Sequence, residues 1–347
     1  MILPETYLAT LALMLLSMIC WGSWANTLKL AGKWRFELFY FDYAFGVLLA
    51  ATLFAFTAGS LGFDGFSFFD DLMHSGKRQW AFGFAGGVVF NLANMLLVAA
   101  IALTGMAVAF PVGIGLALII GVVWNYAIKP QGNPVLLFSG LAVIVVAILV
   151  DALAYRGLAI TRQVQEVKAG KGRSTRKKAS LKGIFVALAA GVLMGCFFPL
   201  VVKGQEGDVG LGPYAIGFLF ALGVFSSTFV FNLFFMNLPV QGKPVEILDY
   251  FKGTFRQHAL GVIGGMIWCT GAISNFVAAS APPEVNVGPA ISYAIGQGAT
   301  MVSALWGLLV WKEFAGADTR TRALISLMLV LFVSGLAMLS VAPLFAP

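Results

Sequence analysis

The sequence predicts an all-α integral membrane protein: ten transmembrane helices arranged as a 5+5 inverted repeat. Three observations carry that reading. First, the 347-residue chain is 60% hydrophobic, has a mean hydropathy of +0.91 and is only 11% charged. Water-soluble domains carry about 25% charged residues to cover a solvated surface. Second, the apolar residues fall into ten runs, each close to the roughly 20 residues a helix needs to cross a bilayer. Third, a segment of the first half recurs in the second. A soluble enzyme is excluded, and so is disorder, which requires low hydrophobicity. Forty Gly and thirty-one Phe suit helices packed closely in lipid.

The ten runs are residues 6–28, 38–58, 79–103, 106–128, 135–155, 183–202, 212–238, 259–279, 287–311 and 323–341. The residues before the first run include Glu5 but no Lys or Arg. A cleavable signal peptide has a basic leader, so the first run is expected to be a retained span. The third and fourth runs are nearly contiguous and form a tight hairpin. Residues 1–155 make the first five-helix repeat, 156–182 a basic linker and 183–347 the second repeat.

The linker holds Arg156, Arg162, Lys168, Lys171, Arg173, Arg176, Lys177, Lys178 and Lys182 against one acid, Glu166. Short basic loops stay cytoplasmic, which puts both termini outside a cell (inner) membrane crossed many times. On that topology the 22 Lys and Arg divide into 18 inside and 4 outside, the latter being Lys77, Arg78, Lys129 and Lys203. The net charge of +7 therefore reports topology, and no nucleic-acid partner is expected. The linker is either a solvated connector or a contact for anionic lipid.

The repeat is read from Arg78-Gln-Trp-Ala-Phe-Gly-Phe-Ala-Gly-Gly87, which recurs as Arg256-Gln-His-Ala-Leu-Gly-Val-Ile-Gly-Gly265, six of ten positions identical at an offset of 178. The same offset carries Pro111 to Pro289. Five spans per copy is an odd number, so the second copy enters the membrane inverted. Inverted repeats build secondary transporters with the solute site near the midplane. Gly83 and Gly87, like Gly261 and Gly265, are four apart and permit close helix crossing or ordinary lipid-facing contacts. Pro111 and Pro289 are candidate gating kinks, or prolines tolerated near helix starts.

Polar residues inside the spans are the candidate site. Asp42 is the acid that lies well inside an apolar run. An acid in a low-dielectric setting holds its proton more readily, which makes a proton carrier; the alternative is an interfacial carboxylate paired with Lys29, Lys33 or Arg35. Asn91 and Asn94 share a face of span three with Gly87, and Tyr293, Gln297 and Thr300 share one of span nine. Span eight adds Asn275 beside Ser274. Neutral amides and hydroxyls around a cavity suit a neutral polar solute, and the same groups also serve as interhelical hydrogen bonds. Trp21 and Trp268 are placed to stack on a planar or ring-shaped solute. Cys20, Cys196 and Cys269 are scattered in apolar stretches and read as buried thiols. His74 and His258 are isolated, in or beside polar loops. No metal or other cofactor is expected, and no constellation for catalysis.

Trp21-Gly-Ser-Trp24, Phe41-Asp-Tyr43 followed by Leu48-Leu-Ala-Ala51, Ala85-Gly-Gly87, Asn125-Tyr126 and Ala304-Leu-Trp-Gly-Leu-Leu-Val-Trp-Lys-Glu-Phe314 together resemble the ureide permease family over nearly the whole chain. That family belongs to the drug/metabolite transporter superfamily, alongside bacterial glucose/ribose and rhamnose porters of similar plan. The resemblance implies the ten-helix drug/metabolite transporter fold and proton-linked uptake of ureides such as allantoin, or of uracil-like nucleobases. Asp42, Asn94, Asn125 and Gln297 match polar positions of the family pattern. Plant members carry a G-x-x-x-x-G-K-[ST] motif in the central loop; here Ala169-Gly-Lys-Gly-Arg-Ser-Thr175 departs from it, so no nucleotide is expected. Cys269 and Thr270 depart from the amide-rich eighth span. The expected partners are a small-molecule substrate, a coupling proton or Na⁺ and bilayer lipid, with a homodimer compatible with the plan. A sugar is the alternative substrate, and a passive channel the alternative mode.

Overall fold

The structure, a computed structural model, describes residues 1–168, 181–239 and 243–345. It is built of helices, with no strand among the described residues. They are α1 (Tyr7–Leu30), α2 (Phe36–Phe56), α3 (Lys77–Thr104), α4 (Val112–Ile128), α5 (Pro134–Lys168), α6 (Leu181–Gly204), α7 (Pro213–Asn237), α8 (Phe255–Ala279), α9 (Pro289–Val310) and α10 (Thr319–Val341). Among the described residues nine helices are long and apolar enough to cross a membrane; α4 is apolar but shorter. The sequence gives run 106–128 a full span. Gly105 turns the chain with a φ of 78°, a backbone conformation that suits glycine. The chain then passes through Met106–Ala109 and the π turn Phe110–Ile114 before regular α-helix. Pro111 lacks the N–H that a continuous helix needs at this point. The opposite difference occurs at α5, which runs on to Lys168, past the expected end of the apolar run at residue 155. No proline follows Tyr155 to stop the helix, and charged residues are free to extend it into water. Segment 169–175 lies outside the described residues.

The shared Arg-Gln lead-in is a helix-start signal. Gln257 is the third residue of α8 and closes a capping box with Thr254: its amide N–H donates to the Thr254 hydroxyl while its side-chain oxygen accepts from Thr254 N at 2.8 Å. Gln79 is the third residue of α3, its side-chain oxygen lying over Gly76. The Thr254–Gln257 box covers backbone N–H groups that a helix start leaves without partners, whereas at α3 the Gly76 N–H donates to the Val209 carbonyl at 3.0 Å.

Eight helices close a ring by contact in the order α1, α8, α2, α7, α3, α6, α4, α9 and back to α1. α5 and α10 pack mainly on each other at its edge. Two crossings bring backbones together at glycine. A Cβ on Gly87 would lie 2.0 Å from the Phe220 carbonyl oxygen of α7, and one on Gly265 would lie 1.9 Å from the Tyr43 oxygen of α2. Each crossing has a glycine on the facing helix as well, Gly223 against Phe84 and Gly46 against Val262. Gly261 fits against the Asp42 side chain, while Gly83 meets Ile216 and Leu219.

Candidate substrate site

A cavity of about 340 Å³ lies within the ring, inside the size range of small-molecule sites. α1, α3, α6, α8 and α9 line it, with Phe36 and Ile114 at its rim. It reaches from the Trp268 level to Leu28 and Ile101, near the helix ends on the face where α5 finishes and α6 begins. Toward the other face, Phe197, Phe198, Phe220, Phe276 and Tyr293 form a buried aromatic layer. Among the described lining residues none is charged.

Five of the eight predicted substrate residues line this cavity: Trp21, Asn94, Trp268, Gln297 and Thr300. Trp268 stacks on Phe90 at 4.2 Å between ring centroids and on Trp21 at 5.9 Å, with interplanar angles of 28° and 14°. The Trp21 indole N–H is buried without a protein acceptor. Such a donor wants a partner when dry. Asn94 donates from its Nδ2 to the Tyr40 hydroxyl at 3.0 Å, which fixes the orientation of its amide at the wall.

The other three are engaged elsewhere. Asn91 is fully buried: its Oδ1 accepts from the Tyr40 hydroxyl at 2.8 Å and its Nδ2 donates to Ser227 at 2.8 Å and Thr228 at 3.1 Å on α7. Asn275 donates to Ser17 Oγ at 3.2 Å and to the Ser292 carbonyl at 3.0 Å, locking α8 to α1 and α9. The Tyr293 hydroxyl donates toward the Met194 carbonyl at 3.2 Å within the aromatic layer. Asn125, matched through the family pattern, is fully buried and donates to its own helix at Gly121. Pro289 is the first residue of α9, where the ring's fixed φ and missing N–H fit without a kink. The interruption in α9 falls instead at Gln297 and Gly298, between its two α-helical segments. Pro111 falls within the π turn.

Asp42 does not line the cavity; it is 4% exposed, in the second turn of α2. Of the three cations expected near it, Lys29 pairs with Glu313 at 2.5 Å, Arg35 pairs with Glu37 at 2.6 Å, and Lys33 is exposed. Its partners are Tyr250, whose hydroxyl donates to Oδ1 at 2.5 Å, and His258, whose Nδ1 donates to Oδ2 at 2.8 Å. Tyr250 lies in the 3₁₀ turn Ile247–Lys252, outside the spans. Burial, the hydrogen bond to Asp42 and that carboxylate's charge push its phenol well above the usual value, so it acts as a fixed donor. In the sequence alone His258 is isolated. The available signal was the repeat: offset 178 maps His258 onto Trp80, one of the few mismatches in an otherwise matching lead-in. Tyr40 carried no such mark.

A ring of apolar helices, all but α4 long enough to cross a membrane, around an aromatic-walled cavity with no charge among its described lining residues is the frame of a multi-pass membrane transporter of a small molecule. The family model described as ureide permease matches residues 39–182 and 163–342. The chain is 23% identical to Ureide permease 1 and 25% to Ureide permease 2 of Arabidopsis thaliana, each over 98% of both chains. It is 22% identical to Probable ureide permease A3 of Vigna unguiculata over 92% of this chain and 99% of that one. The chain belongs to the ureide permease family, whose members are transporters and not enzymes.

Proposed function

We propose that this chain is a secondary active transporter that takes up a neutral ureide or ureide-like nucleobase, of the allantoin or uracil type, driven by a proton gradient. The observation that carries the substrate reading is the cavity wall: stacked Trp21, Trp268 and Phe90 beside the Asn94 and Gln297 amides and an unpaired indole N–H. A flat ring edged with alternating N–H and C=O groups presents a π face to the indoles and both donors and acceptors to the amides. The absence of charge among the described lining residues suits a neutral solute. The relatives' name, ureide permease, supports the same substrate class.

The fold reading is ten spans in two inverted halves, residues 1–155 and 183–347 around the linker 156–182, of the drug/metabolite transporter plan. The contact ring supports it, because exchanging each helix with the one five places on returns the same ring. The paired glycine crossings at Gly87 with Gly223 and Gly265 with Gly46 support it too. With the linker cytoplasmic and both termini outside the inner membrane, the cavity faces inward in this structure. Asp42 is the proton site of this reading, and Gln297–Gly298, where α9 breaks beside the cavity, is its hinge.

The test is a thermal-shift panel on purified protein with allantoin, uracil, xanthine and hydantoin against glucose, ribose and rhamnose. A ligand that binds only the folded state stabilises it by about 2.7 kcal/mol at a hundred times its Kd. Shifts confined to the first group support the ureide reading. Shifts with sugars alone overturn it and turn attention to the aromatic platform as a sugar site.

A further inference from the structure

The Asp42 cluster and the substrate cavity meet on one helix. Two residues before Asp42, about 3 Å along the helix axis, the fully buried Tyr40 holds the two amides of α3: it donates to Asn91 Oδ1 and accepts from Asn94 Nδ2. Asn91 is tied onward to α7, and Asn94 is part of the cavity wall. At Asp42 itself, α2 is clasped from two sides, by Tyr250 of the 3₁₀ turn and by His258 of the first turn of α8. Gly261, one turn beyond His258, fits against the Asp42 side chain. The carboxylate is buried, whereas the His258 side chain is 25% exposed, so the imidazole is the member of the pair in reach of water.

We propose that α2 is the coupling element of this transporter: the Asp42–His258 pair binds the driving proton, and Tyr40 transmits its presence to Asn94 at the substrate. The inference rests on the proton-driven reading above. A carboxylate bonded to a neutral imidazole carries one negative charge. One added proton, taken up at the imidazole, makes an imidazolium–carboxylate pair of zero net charge with a stronger hydrogen bond. Loss of that proton to water leaves the negative charge in an apolar wall, where it is costly, and favours opening of the clasp between α2 and α8. Among the described residues the ion-pair partner of Asp42 is His258, while Lys29 is held by Glu313, Arg35 by Glu37 and Lys252 by Asp249, and Lys33 and Arg256 are exposed. Tyr250 remains a neutral donor, and the Trp34 ring stands edge-on to the imidazole at 5.7 Å. A rigid helix that shifts at Asp42 also shifts Tyr40, and with it the Asn94 amide. By linkage, proton and substrate strengthen each other's binding.

The experiment titrates allantoin into purified protein by tryptophan fluorescence, between about pH 5.5 and about pH 8.5, the range in which imidazoles change charge. Wild-type affinity should tighten with acidification, approaching about tenfold per pH unit for one linked proton. His258→Gln and Tyr40→Phe alter opposite ends of the link, and each should bind with less than about a twofold change across the range. Tyr250→Phe keeps the pair, so its slope should persist with a displaced midpoint. That variant alone carries the test if His258→Gln does not fold, and an undisplaced midpoint then counts against the clasp. A wild-type slope in His258→Gln overturns the proton site. A wild-type slope in Tyr40→Phe overturns transmission through α2. Wild-type affinity that binds allantoin but follows Na⁺ instead of pH overturns this inference and leaves the ureide substrate standing. Binding of rhamnose in place of allantoin overturns the ureide reading alone, and the slopes are then read with the sugar.

Discussion

His258 Nδ1 lies 2.8 Å from Asp42 Oδ2 across 216 residues of chain. The contact joins the second turn of α2 and the first turn of α8 at one face of the membrane bundle. It converts a lone acid in an apolar run into half of a hydrogen-bonded pair, with Tyr250 supplying the second bond.

Asp42→Asn should retain the clasp geometry, since a carboxamide oxygen still accepts from His258 or Tyr250, but it lacks the negative charge that holds the driving proton on the imidazole. In proteoliposomes the variant should exchange labelled for unlabelled substrate yet fail to accumulate it under a pH gradient. Accumulation at the wild-type level would remove Asp42 from the coupling mechanism.

The two asparagines of α3 should separate cleanly. Asn94 faces the cavity, and losing one hydrogen bond to a substrate costs about 1 kcal/mol, more if a group is left unpaired. Asn94→Ala should therefore weaken substrate binding by roughly fivefold or more. Asn91 is fully buried between Tyr40, Ser227 and Thr228. Asn91→Ala strands several polar groups and should cost about 1–3 kcal/mol of stability, visible as a lower melting temperature. The reverse pattern would exchange the roles of the two residues.

Trp21→Phe keeps an aromatic face toward Trp268 but deletes the buried, unpaired N–H. If that N–H is the substrate's donor, affinity falls by roughly fivefold, equivalent to about 1 kcal/mol. If it is not, the change removes an unsatisfied buried group and the protein becomes more stable with unchanged affinity. A single titration with a paired melting curve distinguishes the two.

Three of the four predicted packing glycines should rank by what a Cβ would meet. Gly87→Ala and Gly265→Ala each drive a carbon to within about 2 Å of a carbonyl oxygen on the facing helix, and backbones cannot yield as side chains can. Overpacking of this kind costs about 1–3 kcal/mol and sometimes more. Gly83→Ala meets an isoleucine side chain at 3.1 Å and should be milder. Melting temperatures of the three variants check the order.

Much of the fold was legible because membrane spans are specified locally. Each run satisfies its own backbone hydrogen bonds and hides its own apolar surface, so length and composition suffice. The Arg-Gln lead-ins and the glycines at 83, 87, 261 and 265 were legible for a related reason: caps and close crossings need particular residues at fixed spacing. Where the local rule is broken the structure adds detail: the turn at Gly105 and the π turn at Pro111 interrupt the regular α-helix of the fourth run, and charged residues continue α5 to Lys168.

The sequence by itself determined a polytopic membrane protein, the positions of most spans and a set of neutral polar residues among them. It also marked Asp42, Trp21, Asn94, Trp268, Gln297 and Thr300. Only the tertiary structure decided that five of these share one cavity, that Asn91, Asn275 and Tyr293 are spent on holding helices together, and that Asp42 meets His258 instead of a lysine or arginine. The physical reason is geometric. A side chain's neighbours on its own helix follow from a 3.6-residue period, but its neighbours on another helix depend on how both are rotated and where they cross. The backbone-to-backbone glycine crossings fix those rotations, and no single stretch of sequence contains them.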